Sequence, residues 1–210
     1  MTTGTARRPQ ARRGEGDKLR LEILATTERL LLETGSEEAV SIRAVADAIG
    51  VTPPAIYRHF QDKSTLLFEV CSTHFERMDR FIMEASSHLD DPVEVMCQRA
   101  QAYVQFAQEN PEHYRIMFMG RAQLTPLPYA DEMLVGTGSF AHFVQCVEAC
   151  IAADRFRPEL TDAHAVTLAL WAVVHGLASL MVAKPDMPGP PVDERLTLLL
   201  DIALRGVLRS

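Results

Sequence analysis

Pro54, Ala55, Tyr57, Arg58 and His59 fall within six residues of one another, in a run that also holds Ile56 and Phe60. If that run is helical, Ile56 and Phe60 lie one turn apart and face inward with Val51. Pro54, Ala55 and Arg58 then share the outer side, flanked by Tyr57 and His59. The chemistry on offer is recognition rather than bond-making. A guanidinium is a rigid fork of donors suited to paired acceptors, whereas Pro54 and Ala55 can pack but cannot donate. A short helix with a small, apolar and cationic outer face asks for a partner. The major groove of DNA supplies one when such a helix is the second of a helix–turn–helix.

Residues that bond-making would need are missing or scattered. The sequence has no glycine-rich phosphate loop and no nucleophile elbow, and its seven histidines include no His/Glu set at helical ligand spacing. His175 lies on an apolar stretch and reads as a core histidine with satisfied hydrogen bonds. Cys71, Cys97, Cys146 and Cys150 make no disulfide framework in a chain of 210 residues. Cys146 and Cys150, one helical turn apart, suit buried free thiols in a reducing cytoplasm. Neither an enzyme nor a metal or organic cofactor is expected.

Charge narrows where a polyanion could be met. Residues 1–60 hold nine Lys or Arg against eight Asp or Glu, while residues 61–210 hold twelve against twenty. An acidic remainder repels DNA, so contact is confined to the front of the chain. Hydrophobic residues make up 47%, enough for a substantial core.

The elements that must position the recognition residues are legible around them. Ser41 can cap a helix on which Ile42, Val45, Ala46 and Ile49 form one buried face. Gly50 can end it in the left-handed conformation. Thr52 sits at a second cap, and Pro53 and Pro54 occupy first positions where an amide has no helical partner. The pattern of Gly50, Val51, Thr52, Ile56, Tyr57, His59, Phe60 and Lys63 resembles the DNA-binding domain of the TetR family of bacterial transcriptional regulators, over roughly the first third of the chain.

That resemblance implies roles by position. Arg43 matches a second-helix residue that reaches a base edge in some members, and Pro54, Ala55 and Arg58 match positions that face bases. Thr52, Tyr57, His59 and Lys63 match positions that touch phosphates. Two departures matter. Pro53 and Pro54 lack amide donors, so this helix start offers phosphate fewer backbone bonds than usual. Pro54 and Ala55 can only pack, for instance on a thymine methyl, while Arg43 or Arg58 reads guanine. Arg43 is also compatible with a solvated surface charge.

Along the chain, residues 1–17 form a basic arm with Arg7, Arg8, Arg12 and Arg13 and almost nothing to bury, so disorder is expected. The arm could follow the DNA or merely solubilise. Lys18 to Thr34 is an amphipathic helix, and residues 18–65 make a three-helix domain with the helix–turn–helix. Residues 66–210 make a larger helical domain for ligand binding and dimerisation. A helix from Lys63 to about Ser86 belongs to both. Further helices are expected at about 92–109, 111–119, 129–153, 163–183 and 192–208, giving an all-α fold. Ala163 to Ala183 has no charged residue and could be long enough for a membrane span. Its His164, His175, Thr167 and Ser179 argue instead for a helix buried on every side, partly by a second subunit. Ala169, Ala172, Gly176, Ser179 and Ala183 recur at spacings of three and four, a stripe that lets another helix come close.

In the family the last two long helices pair with their copies across a two-fold axis. Ala172, Gly176, Ser179, Leu196, Leu199 and Ala203 are the expected contact. The segment Trp171 to Leu177 also resembles one branch of the family's regulatory domains. Phe81, Tyr103, Phe106, Met117, Phe118, Phe143 and Trp171 are candidates for the wall of an apolar pocket. The expectation is a cytoplasmic homodimer that binds double-stranded operator DNA and is released by a small hydrophobic ligand. A transcriptional activator, or a DNA-anchored protein-interaction module without a ligand, stays open beside the repressor.

Overall fold

The computed structural model describes residues 15–118 and 138–209. The described residues form helices α1 (Glu15–Thr34), α2 (Ile42–Ile49), α3 (Pro53–Tyr57), α4 (Lys63–Ala85), α5 (Pro92–Glu109), α6 (Pro111–Phe118), α7 (Ser139–Ala152), α8 (Ala163–Ala183) and α9 (Val192–Val207). Among them there is no strand, only an isolated bridge between Phe156 and Leu208. The chain is all-α. It packs as two compact units, with boundaries at His74/Phe75 inside α4 and at Tyr114/Arg115 inside α6.

The first unit closes around Ile23 and Leu31 of α1, Val40, Ile42, Val45 and Ala46, Ile56 and Phe60, and Leu66, Leu67 and Val70 of α4. The three-and-four spacing of these positions is what drives the helices together. Arg20 ties α1 to the end of the motif. Its guanidinium lies 5.3 Å over the Phe60 ring and pairs with Glu69 of α4. Asp62 starts α4 by accepting from the Thr65 amide at 2.7 Å, which with the Thr65 hydroxyl holds its carboxyl below the usual range.

In the second unit α5 is the central helix, burying Val93, Met96, Ala100, Ala102, Tyr103, Val104, Phe106 and Ala107. Asp91 caps it by accepting from Val93 and Glu94. α8 packs on α5, α7 and α9. The end of α9 is clamped by the Phe156 strap, where Arg157 N–H donates to the Val207 carbonyl at 2.9 Å and Arg209 N–H to the Arg155 carbonyl at 2.9 Å.

Two boundaries differ from expectation. α1 begins at Glu15 rather than Lys18, so the last residues assigned to the arm are helical. α7 begins only at Ser139, because Gly138 precedes it with φ 81°, outside the helical region. The expected earlier start at Tyr129 lies outside the described residues, as do the arginines of the arm. α8 is long and apolar enough to cross a membrane, but it is not buried on every side within one chain. Val166, Thr167, Val174, Leu177, Ala178 and Val182 are buried, while Leu168, Val173 and Leu180 are exposed.

Candidate functional site

The recognition motif is built by two helix ends. Ser41 accepts from the Ala44 amide at 3.1 Å and sets the start of α2. Gly50 ends it at φ 71°, ψ 31°, letting the Val51 amide return to the Ala46 carbonyl at 3.0 Å. Thr52 then leads into α3 in an extended conformation, yet its hydroxyl accepts no capping bond. The reason is local. Pro53 and Pro54 have no N–H to offer, and the Ala55 amide goes to the Thr52 carbonyl at 2.8 Å. The hydroxyl expected as a cap is left for another donor or acceptor.

With Ile56 and Phe60 buried, Pro54, Tyr57 and Arg58 are exposed and His59 is half-buried. Tyr57 keeps 53% of its surface open, high for a ring with no packing role. Among the described residues no hydrogen bond or ion pair engages the Arg58 side chain. Arg43, also exposed, has Asp47 one turn on, at 3.9 Å. Lys63 donates to the Glu37 carbonyl at 2.5 Å, which uses one of its three protons. His59 has the first turn of α1 beside it, its Cε1 lying 4.0 Å from where a β-carbon on Gly16 would sit.

Ala55 does not belong to this outer face. It is only 6% exposed. Adjacent helical positions are about 100° apart, so Ala55 comes round beside Ile56, and a single methyl does not reach past its neighbours. The exposed set is Pro54, Tyr57 and Arg58; Arg43 is exposed on α2, and Thr52, His59 and Lys63 are half-buried.

The candidate pocket residues divide. The Phe81 and Phe106 rings meet at a tilt of 60° with centroids 5.8 Å apart. Tyr103 and Trp171 meet around His175: the Tyr103 hydroxyl is 2.8 Å from its Nδ1, and the Trp171 ring lies 4.7 Å from the imidazole at 30°. Phe143 instead lines a cavity of about 20 Å³ with Met96, Cys97, Leu170, Val173 and others. That is room for about one water-sized sphere. Met117 is buried, and with Phe118 it belongs to the first unit.

The residues expected at a dimer contact divide as well. Leu199 and Ala203 line that small cavity inside their own unit, because this side of α9 packs toward α8. Ser179 turns its hydroxyl inward, 3.3 Å from Tyr114 Oη. Leu196 is half-buried, and Ala172 is exposed. A β-carbon on Gly176 would meet nothing within 4 Å. Sequence spacing passed over the larger apolar groups on the same surface: Leu168 (53%) and Leu180 (48%) on α8, and Leu198 (60%) and Ile202 (63%) on α9. The four-residue spacing of Leu198 and Ile202 was a signal that could have found that pair. Tyr114 and His175 also went unrecognised as partners, and at 61 residues apart only tertiary packing joins them.

Two family descriptions match the sequence. Residues 23–70 match the bacterial regulatory proteins of the tetR family, and residues 97–203, half of the chain, match the Tetracyclin repressor-like C-terminal domain. A structure of a protein with unknown function from Rhodococcus sp. RHA1 superposes with a TM-score of 0.76 at 28% identity, covering 96% of this chain and 100% of that one. The HTH-type transcriptional regulator EthR of Mycolicibacterium smegmatis is 27% identical, covering 99% of this chain and 96% of its own. The HTH-type transcriptional activator FasR of the same organism is 24% identical over 49% of this chain and 46% of its own. A capped helix, a left-handed glycine turn and a short outward-facing helix thus stand at the head of a chain matched over both units, and the chain belongs to the TetR family of bacterial transcriptional regulators, with a helix–turn–helix DNA-binding domain.

Proposed function

We propose that the protein is a cytoplasmic homodimer that reads a two-fold operator with α3 and leaves it when a small apolar molecule occupies the second unit. The observation that carries this reading is the exposure of Pro54 and Tyr57 on α3 and of Arg58 at its end, over the buried Ile56 and Phe60. Nothing in the fold requires a large ring and a guanidinium there. Arg58 or Arg43 would read a base edge, Pro54 would pack on one, and Thr52, Tyr57, His59 and Lys63 would hold phosphates.

The second copy would cover the outer faces of α8 and α9. Leu168, Ala172, Gly176 and Leu180 run at four-residue spacing on α8, and Leu198 and Ile202 on α9. Small residues between large ones permit close helix approach. Effector response would pass through α4, which is unbroken from Lys63 to Ala85. Its first turns pack in the core of the DNA-binding unit and its later ones carry Met78, Phe81 and Ile82. A molecule lodged beside the later turns would change the spacing of the two reading helices. Repression is the leading outcome; the likeness to an activator named FasR supports activation as the second reading, set by where the operator lies.

Selection of bound duplexes from a random pool tests the proposal. The expected product is an inverted repeat with half-site centres one helical turn, about 10 base pairs, or a multiple apart. Enrichment of unrepeated sequences, or none, would defeat it.

A further inference from the structure

We propose that Tyr103, Tyr114, His175 and Ser179 form the anchor of the effector site and select a neutral, planar molecule bearing a carbonyl oxygen. The proposal rests on the reading of the second unit as the ligand-binding one. Three helices bring the groups together: Tyr103 from α5, Tyr114 from α6, and His175 and Ser179 from α8. Tyr103 Oη and Tyr114 Oη lie 2.8 Å and 2.9 Å from the same imidazole nitrogen, Nδ1 of His175. They are 3.3 Å from one another, and Ser179 Oγ is 3.3 Å from both Tyr114 Oη and His175 Nε2.

Both phenols are almost fully buried, on helices whose flanking residues Ala102, Val104, Phe106, Val174 and Ala178 are apolar and buried. Burying hydroxyls in such a place is expensive, and phenylalanine would pack without the cost. A ring nitrogen has one lone pair or one proton, so two phenols at short range compete for it. An incoming oxygen can therefore draw one phenol away while Nδ1 keeps the other. A carbonyl oxygen can accept the single proton of the displaced phenol, while the other phenol, 3.3 Å away, keeps its own proton on Nδ1.

Charge decides against an anion. Burial raises both phenols above their ordinary value, Tyr103 well above it, and lowers His175, so every member of the cluster is neutral. A carboxylate placed here would meet no opposite charge within the cluster. Shape comes from the rings alongside. Trp171 lies against His175 at a tilt of 30°, Phe140 meets Trp171 edge-on at 6.0 Å, and His164 meets Phe140 at 5.4 Å. Trp171 and His175 are only half-buried, so the aromatic side is the approachable one and the phenols form the floor.

Equilibrium dialysis of the full chain against 2-acetylnaphthalene, 2-ethylnaphthalene and 2-naphthoate tests this. The ketone should bind roughly tenfold tighter than either of the others. In Tyr103→Phe and Tyr114→Phe, folding being checked by circular dichroism, its affinity should fall to that of the hydrocarbon. Equal binding of ketone and hydrocarbon, preference for the naphthoate, a preference that survives both substitutions, or no binding of any probe would overturn the proposal. Operator binding on the same samples separates the two readings. A chain that binds its inverted repeat but shows no ketone preference loses the anchor and keeps the regulator; one with the preference but no operator keeps the anchor and loses the regulator.

Discussion

Arg58 and Lys63 sit five residues apart, yet they should fail in different ways. Arg58 is exposed with no partner among the described residues, so its guanidinium is available to paired acceptors on a base edge. Arg58→Ala should relax preference at one base pair by about 1–3 kcal/mol, seen as a flattened ranking of operator variants in competition binding. Lys63 already leans on the Glu37 carbonyl and offers a point charge. Lys63→Ala should weaken all duplexes alike and lower the salt slope by about one. An unchanged ranking for Arg58→Ala would remove it as a base reader. His175 makes a separate prediction. Burial lowers its pKa from 6.5, so on acidification the unfolded imidazole takes up a proton that the folded one refuses. Stability from this group is full above about pH 6.5 and declines as pH falls toward the folded value. The stability difference between wild type and His175→Gln should therefore shrink from pH 7 to pH 5 in thermal melts; a pH-independent difference would contradict it. At this scale the sequence was partly readable. Exposure of Arg58 followed from helical spacing, whereas the burial of Ala55 and the inward hydroxyl of Ser179 depend on what neighbouring side chains cover.

At the scale of elements the motif rests on its turn. Gly50 holds φ 71°, and a β-carbon there would touch nothing within 4 Å, so only backbone strain opposes a side chain. Gly50→Ala should cost about 1 kcal/mol in urea unfolding, with Gly50→Asn milder; no loss for alanine would show that the turn does not need that conformation. The outer strip of α9 makes a stronger demand. Ile202→Glu would put a carboxylate into apolar contact with a second copy and should shift the dimer to monomer in sedimentation, a loss above about 2 kcal/mol. An unchanged dimer would move the interface elsewhere. Helix starts and stops were legible because capping is local: Ser41, Gly50, Asp62 and Asp91 all act within four residues of themselves. The faces of α8 and α9 were not. Both have apolar residues on more than one side, so periodicity alone cannot say which side meets α5 and α7 and which faces outward.

For the whole molecule, the near-neutral front and acidic remainder restrict DNA to one end, and α4 carries one helix through both units. If effector and operator favour different settings of α4, each must weaken the other by the same factor, so a tenfold loss of operator affinity corresponds to about 1.4 kcal/mol. The helix–turn–helix at the head of the chain was visible in the sequence as a motif of known pattern followed by long apolar helices. The polar cluster on α5, α6 and α8 was not, because its members are far apart in sequence and each looks like ordinary core alone. The central claim is that two copies of α3 read two related half-sites at once. Sedimentation of wild-type protein with the selected inverted repeat, and with the same duplex carrying one scrambled half-site, tests it most directly. An even number of chains on the intact repeat, with a marked loss of affinity on the scrambled duplex, is the predicted result. One chain per duplex with equal affinity for both would contradict it.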